Sequence, residues 1–256
     1  MIAENLKKLH NKIVISIVSI ILIVISSLST IVYSHELYYI NGQKYPVRWY
    51  WKITEGGVTK LYIKTNSNYL KSPFVEVYNN ALNNWNNAWS LNSSSSFARS
   101  LNLKIHTYSH VKFENTSFNS AKLLFATPTK EWWKATVGDI GSAAGLAFIT
   151  NTDGIQITES NVIGINNRNI GAGSIFVSPY ITASTSEFER TYILMHEMGH
   201  IIGLGHTDYD DFLNPYPPYT VPGRSVMTYN YLAQFPTLHD IYDVEIMYGF
   251  SCRNWK

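Results

Sequence analysis

The amino-terminal part of the chain carries a basic stretch followed by a long apolar run. Three lysines among the first twelve residues precede the apolar residues 13–25, and mostly apolar or small residues continue the run to Val32. This order is typical of a signal peptide with cleavage after Ser34, but the run is also about 20 residues long, enough to cross a bilayer. The pattern predicts a signal peptide or an uncleaved membrane anchor over residues 1–34. In both cases residues 35–256 would lie outside the cytoplasm, either secreted or anchored to the outer face of the cytoplasmic membrane.

Further along, one long segment has apolar residues at helical spacing. Ser72 and Pro73 are a typical N-cap and first helical residue. The apolar positions that follow are Phe74, Val77, Tyr78, Ala81, Leu82, Trp85, Ala88 and Trp89. The opposite face is rich in asparagine, so residues 72–89 predict one long amphipathic helix that lies on a sheet.

Short segments of alternating or apolar character predict the strands of that sheet. They are residues 61–64, 101–105, 122–126, 144–149, 155–158, 162–165 and 174–178. Residues 35–58 contain several turn-forming residues and predict irregular structure. The order of strand, long helix, several strands and second long helix predicts an α+β fold in which helices pack on a twisted mixed β-sheet.

The second long helix carries the candidate chemistry. Ser186 and Glu189 have the spacing of a capping box at its start. Residues 196–206 read His-Glu-Met-Gly-His-Ile-Ile-Gly-Leu-Gly-His, so a helix would present His196 and His200 on one face. Two imidazoles with this spacing can bind one metal ion, and Glu197 lies beside the first of them.

A third histidine follows a predicted turn. Gly203 tolerates the positive φ that ends a helix and turns the chain back, so His206 can approach the same ion. Three neutral imidazoles that leave one position for water form a catalytic zinc site. The alternative is a helix with solvated or core histidines, but three of the eight histidines fall within these eleven residues.

Composition narrows the range of functions. The chain has 20 Lys and Arg against 18 Asp and Glu, so its net charge of +2 argues against nucleic acid as a partner. Its single cysteine, Cys252, excludes an intrachain disulfide and a zinc site built from cysteines. Contact with a membrane is expected only through the N-terminal segment, if that segment stays uncleaved.

Three motifs together resemble a known family. Residues 196–206 resemble the zinc signature of the metzincin metalloproteases, and residues 225–229, Ser-Val-Met-Thr-Tyr, resemble their Met-turn. Residues 236–249 resemble the C-terminal helix of matrixins and serralysins. The resemblance implies a metzincin-like zincin of matrixin or serralysin type. Its twisted mixed sheet, long backing helix and active-site helix would occupy an upper part at about residues 45–205, and a small lower part would occupy residues 206–256.

The resemblance also implies roles for the site residues. His196, His200 and His206 would bind one catalytic Zn²⁺, Glu197 would be the general base, and Gly203 and Met227 would be structural. Tyr229 stands two residues after Met227, as in astacins and serralysins, where that tyrosine approaches the zinc and the oxyanion; ordinary packing is the alternative.

The predicted function is that of an exported zinc metalloendopeptidase acting on protein or peptide substrates. The alternative is a secreted zinc-containing binding protein without proteolytic turnover, and the presence of Glu197 favours the enzyme. Substrate would add as a strand beside residues 173–178. An apolar specificity pocket would be built from Tyr231, Leu232 and Phe235. The oligomeric state stays open.

Weaker signals have ordinary interpretations. His106 and His110 are predicted to be solvated, because the segment alternates like a strand and its histidines would not share a helical face. Residues 151–154, Asn-Thr-Asp-Gly, favour a hairpin turn over a Ca²⁺ site. Asp208 is a candidate for orienting a ligand histidine.

Overall fold

A mixed β-sheet dominates the computed structural model, which describes residues 38–40, 43–95, 105–138, 143–206, 225–228 and 233–250. The predicted N-terminal leader, the predicted strand residues 101–104, Asp208, Tyr229, Tyr231 and Leu232 lie outside the described residues. Among the described residues, no helix has both the length and the apolar character to cross a bilayer.

The strands are β1 (Tyr38–Ile40), β2 (Gln43–Tyr45), β3 (Arg48–Trp49), β4 (Lys52–Glu55), β5 (Val58–Tyr69), β6 (Val111–Asn115), β7 (Leu123–Ala126), β8 (Gly145–Asn151), β9 (Gln156–Ile157) and β10 (Asn169–Val177). The helices are α1 (Tyr78–Asn86), α2 (Ala88–Ser93), α3 (Lys130–Val137), α4 (Glu187–Ile201) and α5 (Leu238–Tyr248).

Strands of both directions build the main sheet, in the order β4-β5-β7-β10-β8-β9, with β3 beside β10 and β6 beside β5. β6 and β7 run parallel to β5, and β10 runs parallel to β7. β8 is antiparallel to β10. The prediction of an α+β fold with helices on a mixed sheet is confirmed.

The position of β10 overturns the predicted substrate edge. Its residues 173–176 pair with β7 on one side and with β8 on the other, so most of the predicted edge lies inside the sheet. The strand next to α4 with an open side is instead β8, which β9 covers only at Ile149 and Thr150 among the described residues. Local sequence pattern shows that a segment is a strand but not which neighbours it has.

The predicted long helix is divided in two. Residues 72–77 form turns, α1 begins at Tyr78, and a break at Asn87 separates α1 from α2. The Asn87 side chain donates to the carbonyl of Asn83, and such side-chain bonds compete with regular helix. The predicted apolar face is nevertheless buried as a whole.

Two further segments differ from the prediction. Residues 162–164 form turns and residue 165 is irregular, because the Asn161 side chain accepts from the amide of Thr158 and donates to the carbonyl of Gln156. Residues 35–58 contain β1 to β4. β3 pairs with the distant β10, whereas β4 forms a hairpin with the next strand, β5. β6 was not predicted, although its burial alternates as in a half-buried strand.

Helix α4 packs against β8 and β10 of the sheet and against α1, and it is buried over most of its length. Ser186 and Glu189 form the predicted capping box at its start, with the Glu189 amide 3.1 Å from the Ser186 Oγ. Leu194, Met198 and Ile201 are buried in the core. The packing fixes the C-terminal half of α4, where the candidate ligands lie.

Candidate metal centre

The end of α4 is a Schellman turn that brings the third histidine to the first two. Gly203 has φ +94°, its amide donates to the carbonyl of His200 at 3.0 Å, and the Leu204 amide donates to the carbonyl of Gly199 at 3.0 Å. These are the two bonds of the motif. A Cβ at residue 203 would collide with the carbonyl oxygen of Val47, so both φ and space require glycine there.

Backbone carbonyls orient two of the imidazoles. The Nδ1 of His196 lies 2.7 Å from the carbonyl oxygen of Val226, and the Nδ1 of His200 lies 2.8 Å from that of Leu204. A carbonyl only accepts hydrogen bonds, so each Nδ1 carries the proton and each Nε2 keeps its lone pair. The turn that ends α4 therefore also sets the tautomer of His200.

The three Nε2 atoms converge. His206 Nε2 lies 3.1 Å from His196 Nε2 and 3.2 Å from His200 Nε2. Nitrogen ligands about 2.0–2.1 Å from a tetrahedral zinc are about 3.3 Å apart, so the spacing fits one ion. The structure brings together the three predicted ligands, and the donor set suits zinc.

Burial keeps these imidazoles neutral. It lowers the pKa of His196 and lowers that of His200 well below its usual value. Burial, with the nearby His196, also lowers the pKa of His206 to about 4. Because a metal binds the neutral imidazole, few protons compete for these nitrogens at neutral pH.

Glu197 faces the start of β8, at residues that β9 does not pair with. A Cβ built on Gly145 would lie 2.6 Å from the Glu197 Oε1, so the bare glycine backbone makes room for this carboxyl. Burial alone raises the pKa of Glu197 to about 8 in the metal-free protein. The side chain lies next to the histidines in sequence and is suited to hold a proton near neutral pH.

The predicted Met-turn lies under α4. Met227 is buried, and its sulfur occupies the space where a side chain on Gly199 would lie. The carbonyl of the neighbouring Val226 is the acceptor for His196. The Tyr192 hydroxyl, from α4 itself, donates to the carbonyl of Thr228. The turn and the helix are therefore joined on both sides of the methionine.

Asp240, on α5, is a site residue that the sequence reasoning missed. Its carboxylate accepts from the Ser225 hydroxyl at 2.5 Å, the Val226 amide at 3.2 Å and the Thr237 amide at 2.6 Å. It thus holds both the Met-turn and the N-terminus of α5. Thr237 and Asp240 are three residues apart, as in a capping box, and this spacing could have identified Asp240 from the sequence.

Other candidate residues lie elsewhere or form ordinary structure. Phe235 lines a cleft with residues of α1 and the start of α4, and none of the three histidines lines that cleft. Asn151 accepts from the amides of Asp153 and Ile155 in the turn between β8 and β9, which confirms the hairpin. In the described part of the chain, no group of potential metal ligands includes Asp153, so Ca²⁺ there gains no support.

The prediction of solvated His106 and His110 is wrong. His110 is only 6% exposed, and the two imidazole rings lie 5.1 Å apart at their centroids. They meet across an irregular segment, because residues 105–110 are not a strand.

Comparison with known proteins identifies the family. A sequence model of the matrixin family matches residues 57–230, more than half of the chain. No curated protein sequence matches. Among solved structures, myroilysin is 12% identical, with 74% of this chain and 93% of that chain covered and a TM-score of 0.39. The family match confirms the predicted resemblance to matrixin-like metzincins. The chain belongs to the matrixin family of zinc metalloproteases.

Proposed function

We propose that this protein is an exported zinc metalloendopeptidase in which His196, His200 and His206 bind the catalytic zinc and Glu197 is the general base. The observation that carries the proposal is the convergence of three Nε2 atoms, two of them on buried imidazoles, with His206 Nε2 3.1 Å and 3.2 Å from the other two. The buried carboxyl of the adjacent Glu197 lies at the start of β8. Such a site combines metal binding with a proton acceptor.

In the proposed hydrolysis, zinc would activate the water and the carbonyl group, and Glu197 would transfer the proton. When bound, zinc lowers the pKa of water towards about 7 and polarises a carbonyl oxygen. Glu197 takes a proton at its carboxylate and returns it to the leaving amine. Its buried position raises its proton affinity, which suits a group that must both accept and donate near neutral pH.

Substrate is proposed to bind along β8. Among the described residues, β8 pairs with β9 only at Ile149 and Thr150, which leaves the outer edge of its first four residues open. An extended peptide can add there by main-chain hydrogen bonds. Gly145 at the start of this edge lies against Glu197, so a peptide bound along β8 would pass beside the general base.

The basic and apolar N-terminal pattern supports export. Amino-terminal sequencing of the mature protein separates the alternatives: a chain that starts at residue 35 indicates a cleaved signal peptide. An intact chain that is digested by protease added to whole cells indicates an anchor. A chain that stays intact and protected inside the cell would contradict export.

Glu197→Gln tests the catalytic role. The variant keeps the shape of the side chain but cannot take a proton, so casein hydrolysis should fall by about 10²–10⁴-fold while bound zinc is retained. Glu187→Gln, at the exposed start of the same helix, is the matched control and should cleave at the wild-type rate. Zinc is measured by elemental analysis.

Two results would contradict the proposal. A Glu197→Gln variant that cleaves as fast as the wild type removes Glu197 as the base. A zinc-loaded wild-type protein that cleaves neither casein nor a peptide library, with and without chelator, is instead a zinc-containing binding protein.

A further inference from the structure

A second cluster of metal-binding side chains lies outside the catalytic site. His106, His110 and Glu245 each place one ligand atom within 4.8 Å of the others. The His106 Nε2 lies 3.1 Å from the Glu245 Oε1. The cluster joins the segment before β6 to the C-terminal helix α5, and it shares no residue with the three histidines of α4.

Both imidazoles are held in the tautomer that binds metal through Nε2. The Nδ1 of His106 lies 2.9 Å from the carbonyl oxygen of Tyr108, and the Nδ1 of His110 lies 2.8 Å from that of Thr59. Each Nδ1 must therefore be the donor, which leaves the Nε2 of a neutral ring with a lone pair. Metal-binding histidines commonly have this arrangement.

The two Nε2 atoms are buried and, among the described residues, neither makes a hydrogen bond of acceptable geometry, although that of His106 lies within ion-pair distance of Glu245. Buried polar atoms without partners are rare in native proteins and need a specific explanation. Here two lone pairs face a carboxylate that is fully buried at 0% exposure. Three electron-rich atoms this close repel one another unless a proton or a cation lies among them.

Aromatic rings enclose the cluster. Tyr108 stacks on His106 with centroids 3.8 Å apart, and Phe250 stacks on His110 at 4.3 Å. The Trp89 indole N–H donates to the Glu245 Oε1 at 2.6 Å and fixes that carboxylate. The ligands are thus oriented by neighbours and partly shielded from water, as in structural metal sites.

We propose that His106, His110 and Glu245 bind a second divalent metal ion, Zn²⁺, that serves a structural role. Two imidazoles and one carboxylate are ligands that zinc accepts, and one position of a tetrahedron remains for water. The ion would balance the buried negative charge of Glu245. This inference does not depend on the proposed catalytic activity.

The second ion would stabilise the lower part of the site. Glu245 lies on α5, whose first turn contains Asp240, the residue that holds the Met-turn. A cross-link between residues 106 and 245 closes a long loop of the chain, and such links restrict the unfolded state most. Loss of this ion should therefore loosen α5 and, through it, the Met-turn.

Metal content of the full-length chain tests the site. We expect two zinc ions per wild-type chain, one in Glu245→Gln, one in His110→Gln, and one in His200→Ala, which removes the catalytic site instead. His239→Gln is the matched control, because His239 is a buried histidine of α5 that lies 3.5 Å from Asp243 and does not belong to the cluster, and it should retain both ions. Elemental analysis gives the stoichiometry.

A second measurement uses a variant in which the proposed second site is intact. The metal-free His200→Ala chain should take up one equivalent of Co²⁺ with visible absorption typical of nitrogen and oxygen ligands. Zn²⁺ should raise its Tm, and this rise should be absent in the double variant His200→Ala/Glu245→Gln. The Tm readout is independent of proteolytic activity.

One pattern of results overturns the inference and leaves the catalytic proposal standing. In that pattern the wild-type chain binds one zinc ion, the Glu245→Gln variant still binds one, and the His200→Ala variant binds none. Failure of metal-free His200→Ala to bind Co²⁺ or Zn²⁺ would overturn it equally.

Discussion

At the start of β8, the missing side chain of Gly145 decides where the Glu197 carboxylate can lie. A methyl group at residue 145 would come within 2.6–2.8 Å of three atoms of that side chain and displace it. Displacement of a catalytic group by about 1 Å can cost about 10²-fold in rate. We expect Gly145→Ala to lower kcat by about 10–100-fold and to leave the zinc content unchanged.

Gly164→Ala is the matched control for this prediction. A methyl group there meets only one atom, the carbonyl oxygen of Asn161 at 3.8 Å, which is an ordinary contact. Its kcat should equal that of the wild type. If Gly145→Ala also cleaves casein at the wild-type rate, the position of Glu197 does not depend on the bare backbone of β8.

The raised pKa of Glu197 makes the stability of the metal-free protein depend on pH. Burial raises this pKa from 4.5 to about 8, so the folded state holds the proton more tightly than the unfolded state. The contribution to stability is complete below about pH 4.5 and is lost as pH rises through 8. Glu197→Gln lacks this titration. Between pH 5 and 8 the chelated wild type should therefore lose on the order of 4 kcal/mol relative to chelated Glu197→Gln.

Urea denaturation of both metal-free proteins at several pH values measures this difference. The other titrating groups are common to both chains and cancel in the comparison. A difference in unfolding free energy that stays constant from pH 5 to 8 would show that Glu197 titrates at its ordinary pKa.

At the scale of elements, α5 and the Met-turn depend on one buried carboxylate. Asp240→Ala would leave the Ser225 hydroxyl and the Val226 and Thr237 amides without their acceptor. Loss of such a buried network should lower the free energy of unfolding by about 3 kcal/mol. Because the Val226 carbonyl orients His196, zinc affinity should also fall by about 10–100-fold.

Denaturation and zinc titration measure the two effects of Asp240→Ala. Asp153→Ala is the control, since its carboxylate accepts from Asn167 in an exposed turn. That change should alter stability by less than about 0.5 kcal/mol. Unchanged zinc affinity in Asp240→Ala would indicate that the Met-turn keeps its position without α5.

Features set by neighbours in sequence could be predicted, and features set by distant neighbours could not. The capping box at Ser186 and the turn at Gly203 need only a few adjacent residues, and the structure has both. The interior position of β10 depends on pairing with β7, some fifty residues earlier in the chain. The proximity of His110 to Glu245 depends on how α5 packs against the rest of the chain, and this packing cannot be inferred from the local sequence.

At the scale of the whole molecule, three distant parts of the chain meet at one hydroxyl. Tyr248, at the end of α5, accepts from the amide of Trp49 at 2.6 Å and donates to the carbonyl of Ile202 at 2.7 Å. Trp49 belongs to β3, and Ile202 is the C-cap of α4. The hydroxyl therefore links the sheet, the end of α4 and the C-terminal helix just where the chain turns towards His206.

Tyr248→Phe tests whether this link contributes stability or also positions the metal ligands. The change removes one oxygen and leaves a buried amide and a buried carbonyl without that partner, so the free energy of unfolding should fall by about 2 kcal/mol. Gly203 and its Schellman bonds still set the turn, so zinc stoichiometry and kcat should change little. Tyr50→Phe, at a tyrosine that is 52% exposed, is the matched control and should be neutral within about 0.5 kcal/mol. A large loss of zinc in Tyr248→Phe would mean that the C-terminal helix, and not the glycine turn alone, holds His206 at the site.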